Sequence, residues 1–217
     1  MRRGLYLTFD GLLEPLGTSQ IVRPLQGLAA RGVPVDVVSL EKARDLADPA
    51  AAEALEASFR EVGVRWRYAT FAEGGGRHAA RNVATLAVLA LRTLREDRYG
   101  VVHARAHLSA LVAGLARAFT GTPYLFDFRG YWIDEQKERG AYVGDPVVFR
   151  VAKRLEALLV RNATAVTTLT DLATSDVLDG AFGPVRGPAC TVTTVADFDA
   201  FTLDGPRGAM PASMRER

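Results

Sequence analysis

Residues that suit charged ligands or proton exchange come directly after apolar runs in this sequence. Asp10 follows "GLYLTF". His103 lies near the end of "GVVHA" and Arg105 follows it, while Asp127 lies near the end of "PYLFDF" and Arg129 follows it. An imidazole exchanges a proton near neutral pH, and a guanidinium pairs with phosphate or carboxylate through two hydrogen bonds. Ligands of open parallel sheets bind outside the carboxyl ends of the strands. We therefore expect these side chains to line one cleft.

The stretch "LTFDGLLEPLGTSQ", residues 7–20, runs from a predicted strand through a loop into a predicted helix. Gly11 and Gly17 allow tight turns there, and unpaired backbone N–H groups at a helix start can bind an anion. Thr18 and Ser19 allow a simpler interpretation, in which one of them caps the helix. The stretch has neither the G-x-G-x-x-G pattern of dinucleotide-binding folds nor the lysine of a P-loop.

Structural roles remain open for several of these residues. His103 can donate to a backbone carbonyl at the end of its strand. Asp127 and Arg129 flank one residue, so on a strand they point the same way and can form a structural ion pair. Cys190 lies in a predicted strand and is expected to be buried and inert. The sequence shows no metal-ligand spacing and no Ser-His-Asp arrangement with a nucleophile elbow.

The elements that must position these residues alternate along the chain between short apolar runs and longer helical patterns. This alternation is typical of parallel βαβ units. Strands are predicted at 4–9, 34–40, 64–71, 100–104, 123–128, 164–169 and 190–195. Helices are predicted at 18–31, 48–62, 77–96, 107–120, 146–162 and 170–180. We therefore predict an α/β fold: a Rossmann-like, doubly wound, mainly parallel seven-stranded sheet with helices on both faces.

Local signals refine this prediction. Asp48 and Asp145 each precede a proline and are expected to cap helices, while Gly32 and Gly121 are expected to end helices. The third strand, 64–71, alternates polar and apolar residues and is predicted to lie at an edge of the sheet.

Composition excludes several classes of protein. The 217 residues have a formal net charge of +2, and their basic residues form no tail, so nothing requires a nucleic-acid partner. A single cysteine forms no internal disulfide and is typical of a reducing compartment. The start "MRRGLYLTFD" reaches an aspartate too early for a signal-peptide core. The sequence predicts a cytoplasmic protein.

Several stretches resemble family 4 glycosyltransferases of the GT-B architecture, specifically their N-terminal, acceptor-side domain. "LYLTFDGLLEPLGTSQIVRPLQGLAARGVPVDVVSLEK" is similar to the family's opening strand, glycine loop, helix and second strand. "FDFRGYWIDE" resembles its D-x-R-G-x-W-x-D-E loop, and "AKRLEALLVRNATAVTTLTD" its later helix and strand. "TVTTVADFDAF" departs from the usual V-I-P-x-x-V-D-x-D-x-F, with Thr193 in place of proline and Ala196 in place of valine.

The resemblance implies a nucleotide-sugar-dependent, retaining transferase that acts in glycan, polysaccharide or glycolipid synthesis. It implies a Rossmann-like domain over 1–200 and a linker over 201–217 toward a donor-binding domain that this chain lacks, so that the chain alone is expected to be inactive. The expected donor is a nucleoside-diphosphate-sugar, the expected acceptor is a sugar or a lipid-linked sugar, and no metal is expected. Alternatives are another GT-B sugar-nucleotide enzyme, such as an epimerase, or a non-catalytic doubly wound binding module.

The resemblance also gives roles to the residues of the cleft. Those assigned to catalysis are His103, Asp127 and Arg129; those assigned to the donor diphosphate are Gly17, Thr18 and Ser19; those assigned to the acceptor are Asp10, Arg105, Asp134 and Glu135. The arginines are expected to pair with phosphate or with an acidic group of the acceptor. No general base is assigned.

The predicted helix at 77–96 carries an arginine stripe. At 100° per residue, Arg77, Arg81, Arg92 and Arg95 fall within about 60° of one another. This face predicts a peripheral contact with anionic membrane, with a solvated helix face as the alternative.

Overall fold

Seven parallel strands form one sheet in the computed structural model, which describes residues 2–140 and 145–194. The strands are β1 Gly4–Leu7, β2 Val35–Lys42, β3 Trp66–Phe71, β4 Val101–Arg105, β5 Tyr124–Phe128, β6 Ala165–Thr168 and β7 Ala189–Thr191. Their order is β3-β2-β1-β4-β5-β6-β7. All six neighbouring pairs are parallel, and β3 lies at an edge, as predicted.

The helices of the described residues connect consecutive strands. They are α1 Pro15–Gly17, a π-helical turn Thr18–Val22, α2 Arg23–Ala30, α3 Pro49–Glu61, α4 Arg77–Glu96, α5 Ala106–Thr120, α6 Trp132–Glu138, α7 Pro146–Asn162 and α8 Asp171–Leu178. Strand order reverses between β1 and β4. The predicted Rossmann-like, doubly wound fold is confirmed.

Two buried clusters show that helices cover both faces. On one face, β1 and β2 pack their apolar side chains against α2 and α3, around Leu25 and Phe59. On the other face, the central strands pack against α4, α5 and α7, around Leu86, Val112 and Val160. Because the central strands are buried on both sides, they appear in the sequence as nearly continuous apolar runs.

Local signals at the predicted helix ends are also confirmed. The Asp48 side chain accepts a hydrogen bond from the N–H of Ala50, and Asp145 accepts one from the N–H of Val148. Gly121 ends α5 in the left-handed region at φ 71°. These capping groups pair backbone atoms that the helices themselves leave unpaired.

The first helix begins earlier than predicted. It starts at Pro15, so Thr18 and Ser19 lie inside the helical segment and cap nothing. Their hydroxyls donate instead to the carbonyls of Leu12 and Pro15. A proline suits the first helical position because its missing N–H has no partner there in any case. The prediction of a helix start at Thr18 is therefore wrong.

Two further predictions need correction. The predicted helices include none between 120 and 146, but α6 forms there with Ile133 buried. Cys190, which was expected to be buried, is exposed, and β7 ends at Thr191 instead of at residue 195. The predicted linker at 201–217, Ala196 and the domain boundary at residue 200 lie outside the described residues.

Candidate functional site

The strand register brings the predicted polar residues onto one face of the sheet. Arg105 on β4 lies beside Asp127 on β5, which lies beside Thr167 on β6. Two residues before Arg105, His103 on β4 lies beside Tyr6 on β1, with ring centroids 4.5 Å apart. Side chains alternate between faces along a strand, so all five point toward the side on which α2 packs.

These side chains line a cleft of about 600 Å³ between α2 and the strands β4, β5 and β6. We call it the α2-side cleft. Val192, Thr193 and Thr194, which follow β7, also line it.

Gln20, in the π-helical turn, connects two of the arginines that line the cleft. Its Oε1 atom accepts a hydrogen bond from Nη2 of Arg105 at 2.7 Å and another from Nη2 of Arg129 at 2.9 Å. Arg129 also donates to Oγ1 of Thr194 at 3.1 Å. A neutral amide therefore holds two guanidinium groups together without cancelling their charge.

Asp127 lies between His103 and two arginines. Its Oδ2 atom is 3.8 Å from Nε2 of His103 and 3.9 Å from Nη1 of both Arg105 and Arg129, too far for hydrogen bonds. Its Oδ1 atom accepts from Oγ1 of Thr167 at 3.2 Å, which fixes the carboxylate. The predicted pairing of Asp127 with Arg129 is thus a long ionic contact, and Oδ2 remains open to another donor.

His103 and Tyr6 complete the floor of the cleft. Nε2 of His103 is buried and has no hydrogen-bond partner among the described residues. Burial raises the pKa of the Tyr6 phenol to about 12, so this side chain is a neutral hydrogen-bonding group at pH 7. Both positions can contribute directional contacts to a bound ligand.

The cleft carries excess positive charge. Among its described lining residues, four are arginines, at 23, 31, 105 and 129, and only Asp127 is acidic. The side chain of Arg105 is only 5% exposed. Burial and the neighbouring charge of Arg105 lower the pKa of Arg129. An anionic ligand would supply the missing charge.

Asp10 lies between this cleft and a second, smaller one. Its Oδ2 atom is 3.3 Å from Nε of Arg105, and its side chain is otherwise mostly exposed. The smaller cleft, of about 240 Å³, is formed by the glycine loop and the ends of β2 and β3, with Asp10, Gly11, Gly17 and Phe71 in its lining.

The geometry of the glycine loop gives Gly17 a structural role. A Cβ atom at this position would lie 2.0 Å from the carbonyl oxygen of Gly11, so only glycine permits this contact between two segments of backbone. Buried Glu41 accepts hydrogen bonds from the N–H groups of Leu12 and Leu13 at 2.9 and 3.2 Å. Thr18 donates its N–H to the Glu14 carbonyl. These three N–H groups are therefore already paired within the protein.

Asp134 and Glu135 are not among the residues that line the α2-side cleft. Asp134, on α6, forms an ion pair of 2.7 Å with Lys153 on α7, and Lys153 also pairs with buried Glu156. Glu156 in turn contacts Nε2 of His107 at 2.7 Å. This network joins α5, α6 and α7 behind β5. The residues described hold no group of three or more His, Cys, Asp or Glu side chains placed to bind a metal ion.

Comparisons with known proteins agree with this architecture. Residues 18–192 match the family model described as "Glycosyl transferase 4-like domain". Curated protein sequences give no significant match.

Solved structures with a similar fold are about twice as long as this chain. Sucrose-phosphate synthase from Thermosynechococcus elongatus is 11% identical with a TM-score of 0.63, over 93% of this chain and 50% of that one. UGT2 from Phytolacca americana is 10% identical with a TM-score of 0.55, over 92% of this chain and 53% of that one. A UDP-N-acetylglucosamine 2-epimerase from Listeria monocytogenes, itself described as putative, is 10% identical with a TM-score of 0.52, over 82% and 42%. At these identities the likeness shows the fold alone.

Proposed function

Because the chain belongs to the glycosyl transferase 4-like domain family, we propose that it is the acceptor-binding half of a nucleotide-sugar-dependent, retaining glycosyltransferase of the GT-B architecture. The acceptor is a sugar or a lipid-linked sugar that carries a phosphate or carboxylate group. A donor-binding domain, joined to this chain or acting with it, supplies the nucleoside-diphosphate-sugar.

The observation that carries this proposal is the arrangement of Arg105, Arg129 and Asp127 around Gln20 in the α2-side cleft. The two guanidinium groups are held in place before any ligand binds, so an anionic group of the acceptor can pair with them at low cost in conformational entropy.

Asp127 and His103 are placed to orient the acceptor hydroxyl. The open Oδ2 atom of Asp127 can accept a hydrogen bond from the hydroxyl, and Nε2 of His103 offers a second polar contact 3.8 Å away. Holding a reacting hydroxyl in one orientation against an activated sugar is a major source of rate enhancement. Asp10 extends the acceptor contacts toward the open edge of the cleft.

Peripheral contact with an anionic membrane at the cytoplasmic face is part of the proposal. α4 spans Arg77–Glu96, and Arg77, Arg81, Arg92 and Arg95 are all exposed on it. None of them forms an ion pair with a described acidic residue. In the described part of the chain, no helix is both long and apolar enough to cross a bilayer. An unpaired arginine stripe can attract anionic headgroups from the surface.

Replacing Arg129 in an enzyme that contains both domains tests the assignment. We expect Arg129→Ala to lower kcat/KM for sugar transfer about 100-fold, because it removes a preorganised charge from the site, and to change the free energy of unfolding by less than about 1 kcal/mol. Transfer is followed by nucleoside diphosphate release and by label in the acceptor, with a panel of UDP-, GDP- and ADP-sugars.

Arg31→Ala is the matched control. Arg31 lines the same cleft, but it directly follows α2 and its Nη1 atom donates to the Gly27 carbonyl of that helix. We expect it to lower kcat/KM less than about tenfold. Equal losses in both variants would show that Arg129 has no specific role. Isomerisation of the nucleotide-sugar without transfer would support the epimerase alternative instead.

A further inference from the structure

Three neighbouring helices, α4, α5 and α7, form a layer on the face of the sheet opposite the α2-side cleft. Their exposed surface combines two features that are uncommon together on a soluble domain: strongly biased charge and exposed apolar side chains. Both features bear on what this surface contacts.

The charge bias is large. Together the three helices contain nine Lys and Arg residues and two acids, Glu96 and Glu156. Glu156 is buried against Lys153 and His107, and Glu96 pairs with Arg67 on β3. The whole chain has 27 Lys and Arg and 25 Asp and Glu, which leaves 18 against 23 outside these helices. These three helices therefore carry a net positive charge, while the rest of the chain is net negative.

Exposed apolar residues on α7 form a continuous ridge. Val147, Val151, Leu155 and Leu158 fall within about 80° of one another at 100° per residue. Val151 is 55% exposed and Leu158 is 53% exposed. Leu155 and Leu158 border a groove of about 450 Å³ between α5 and α7, and Leu115 of α5 lies across it.

Phe119 lies one helical turn after Leu115, in the C-terminal part of α5. Its side chain is 71% exposed. Large apolar side chains that are exposed as a contiguous set usually mark a surface of interaction. We call the ridge on α7 together with Leu115 and Phe119 the α5–α7 surface.

Basic residues flank this surface. Arg150, Arg154 and Arg161 lie on one side of the α7 ridge, within about 40° of one another. All three are exposed, and none forms an ion pair with a described acidic residue. An apolar ridge with arginines beside it fits the boundary between acyl chains and anionic phosphate headgroups, where long cationic side chains reach the phosphates.

We propose that the α5–α7 surface inserts its apolar side chains into an anionic phospholipid bilayer, beside the arginine stripe of α4. A second copy of the chain fits this surface less well, because a symmetric interface would bring two sets of unpaired arginines together. The inference rests on the proposed membrane contact of α4, but it requires neither a sugar donor nor an acceptor.

Vesicle binding with surface variants tests the proposal. The probes are vesicles of phosphatidylglycerol mixed with phosphatidylcholine, compared with phosphatidylcholine alone. The combined variant Phe119→Gln, Val151→Gln and Leu158→Gln should bind the anionic vesicles about tenfold or more weakly, in low and in high salt, because it removes inserted apolar area. Arg81→Gln with Arg92→Gln should weaken binding in low salt only. Because the second variant changes α4 alone, a missing contact of α4 can be distinguished from a missing insertion of the α5–α7 surface.

Leu28→Gln is the matched control. Leu28 is a leucine of similar exposure, 42%, on α2 at the opposite face. It should leave vesicle binding unchanged, and all variants should keep the wild-type circular dichroism spectrum. In a separate variant, Val151→Trp, the emission of the added tryptophan, obtained by subtracting the wild-type spectrum, should shift to the blue with anionic vesicles. Wild-type affinity of the combined variant, or no blue shift at position 151, would overturn the proposal. So would conversion of a wild-type dimer to monomer by the combined variant.

Discussion

At the scale of single residues, the nature of Gln20 determines the charge of the α2-side cleft. A carboxylate at this position would pair with Arg105 and Arg129 and satisfy both. The amide oxygen holds them at 2.7 and 2.9 Å but carries no charge. The two guanidinium groups are thus held in fixed positions, and their positive charge remains available to an anionic ligand.

A phosphate-dependent shift in melting temperature tests this interpretation of Gln20. Inorganic phosphate should stabilise the wild-type chain, since a ligand at ten times its Kd raises the free energy of unfolding by about 1.4 kcal/mol and the Tm by about 3 °C. Gln20→Glu should abolish the shift by neutralising the arginines from within. Chloride at equal ionic strength is the control, and an unchanged phosphate shift in Gln20→Glu would contradict the assignment.

Sequence patterns identify some site residues and not others, for a physical reason. Arg105, Asp127 and Arg129 are found because strand ends and side-chain alternation are local properties. Gln20 and Glu41 were missed. Gln20 lies 85 and 109 positions from its two partners, and Glu41 lies 29 from Leu12, so only the folded chain brings them together. Glu41 directly follows the predicted strand 34–40, and no local pattern marks it as a buried residue.

At the scale of elements, the sequence predicts what depends on periodicity and capping. All seven strands and six of the helical segments agree with the alternation of patterns. The prediction fails where tertiary contacts set the local structure. The first helix starts at Pro15 because Gly17 must pack on Gly11, and α6 is stabilised by buried Ile133 and by the pairing of Asp134 with Lys153.

The amino edge of the sheet provides a prediction about stability. Asp36 on β2 accepts hydrogen bonds from Arg3, Arg65 and Tyr99, and so connects the beginnings of four strands. Burial alone would raise its pKa, but the hydrogen bonds from Arg65 and Tyr99 and the charge of Arg3 hold the pKa of Asp36 below its ordinary value. Asp36→Asn should lower the free energy of unfolding by about 2 kcal/mol at pH 7, measured by urea denaturation.

The pH dependence of the Asp36 effect follows from its lowered pKa. A carboxyl group whose pKa is lower in the folded state stabilises the fold above its unfolded pKa and loses that effect as the pH falls through the folded value. The difference between wild type and Asp36→Asn should therefore shrink below about pH 4. Asp97→Asn removes an exposed partner of Arg65 and should cost less than about 1 kcal/mol. A difference that stays constant down to the acid transition would contradict this account.

At the scale of the whole molecule, the two proposed functional surfaces lie on opposite faces of the sheet. The crossover helices α4, α5 and α7 begin at this edge, where β3, β4 and β5 end. Arg77, Val147 and Val151 are therefore at the end of the helical layer that is close to the α2-side cleft. If both proposals hold, a bilayer against that layer would present an anionic headgroup near the edge at which the α2-side cleft lies.

The chain by itself should not bind a sugar donor, although it contains a core of its own. Transfer needs an acceptor pocket, a nucleotide pocket and closure that excludes water from the activated sugar. In the glycine loop, Glu41 and Glu14 already accept the backbone N–H groups of Leu12, Leu13 and Thr18 that a diphosphate would need. Calorimetric titration with UDP-, GDP- and ADP-sugars should give no saturable isotherm at micromolar concentration, because phosphate contacts alone leave the base and ribose unbound. A micromolar isotherm that Arg129→Ala leaves unchanged would place the donor on this half of the enzyme and reverse the proposed division between acceptor and donor.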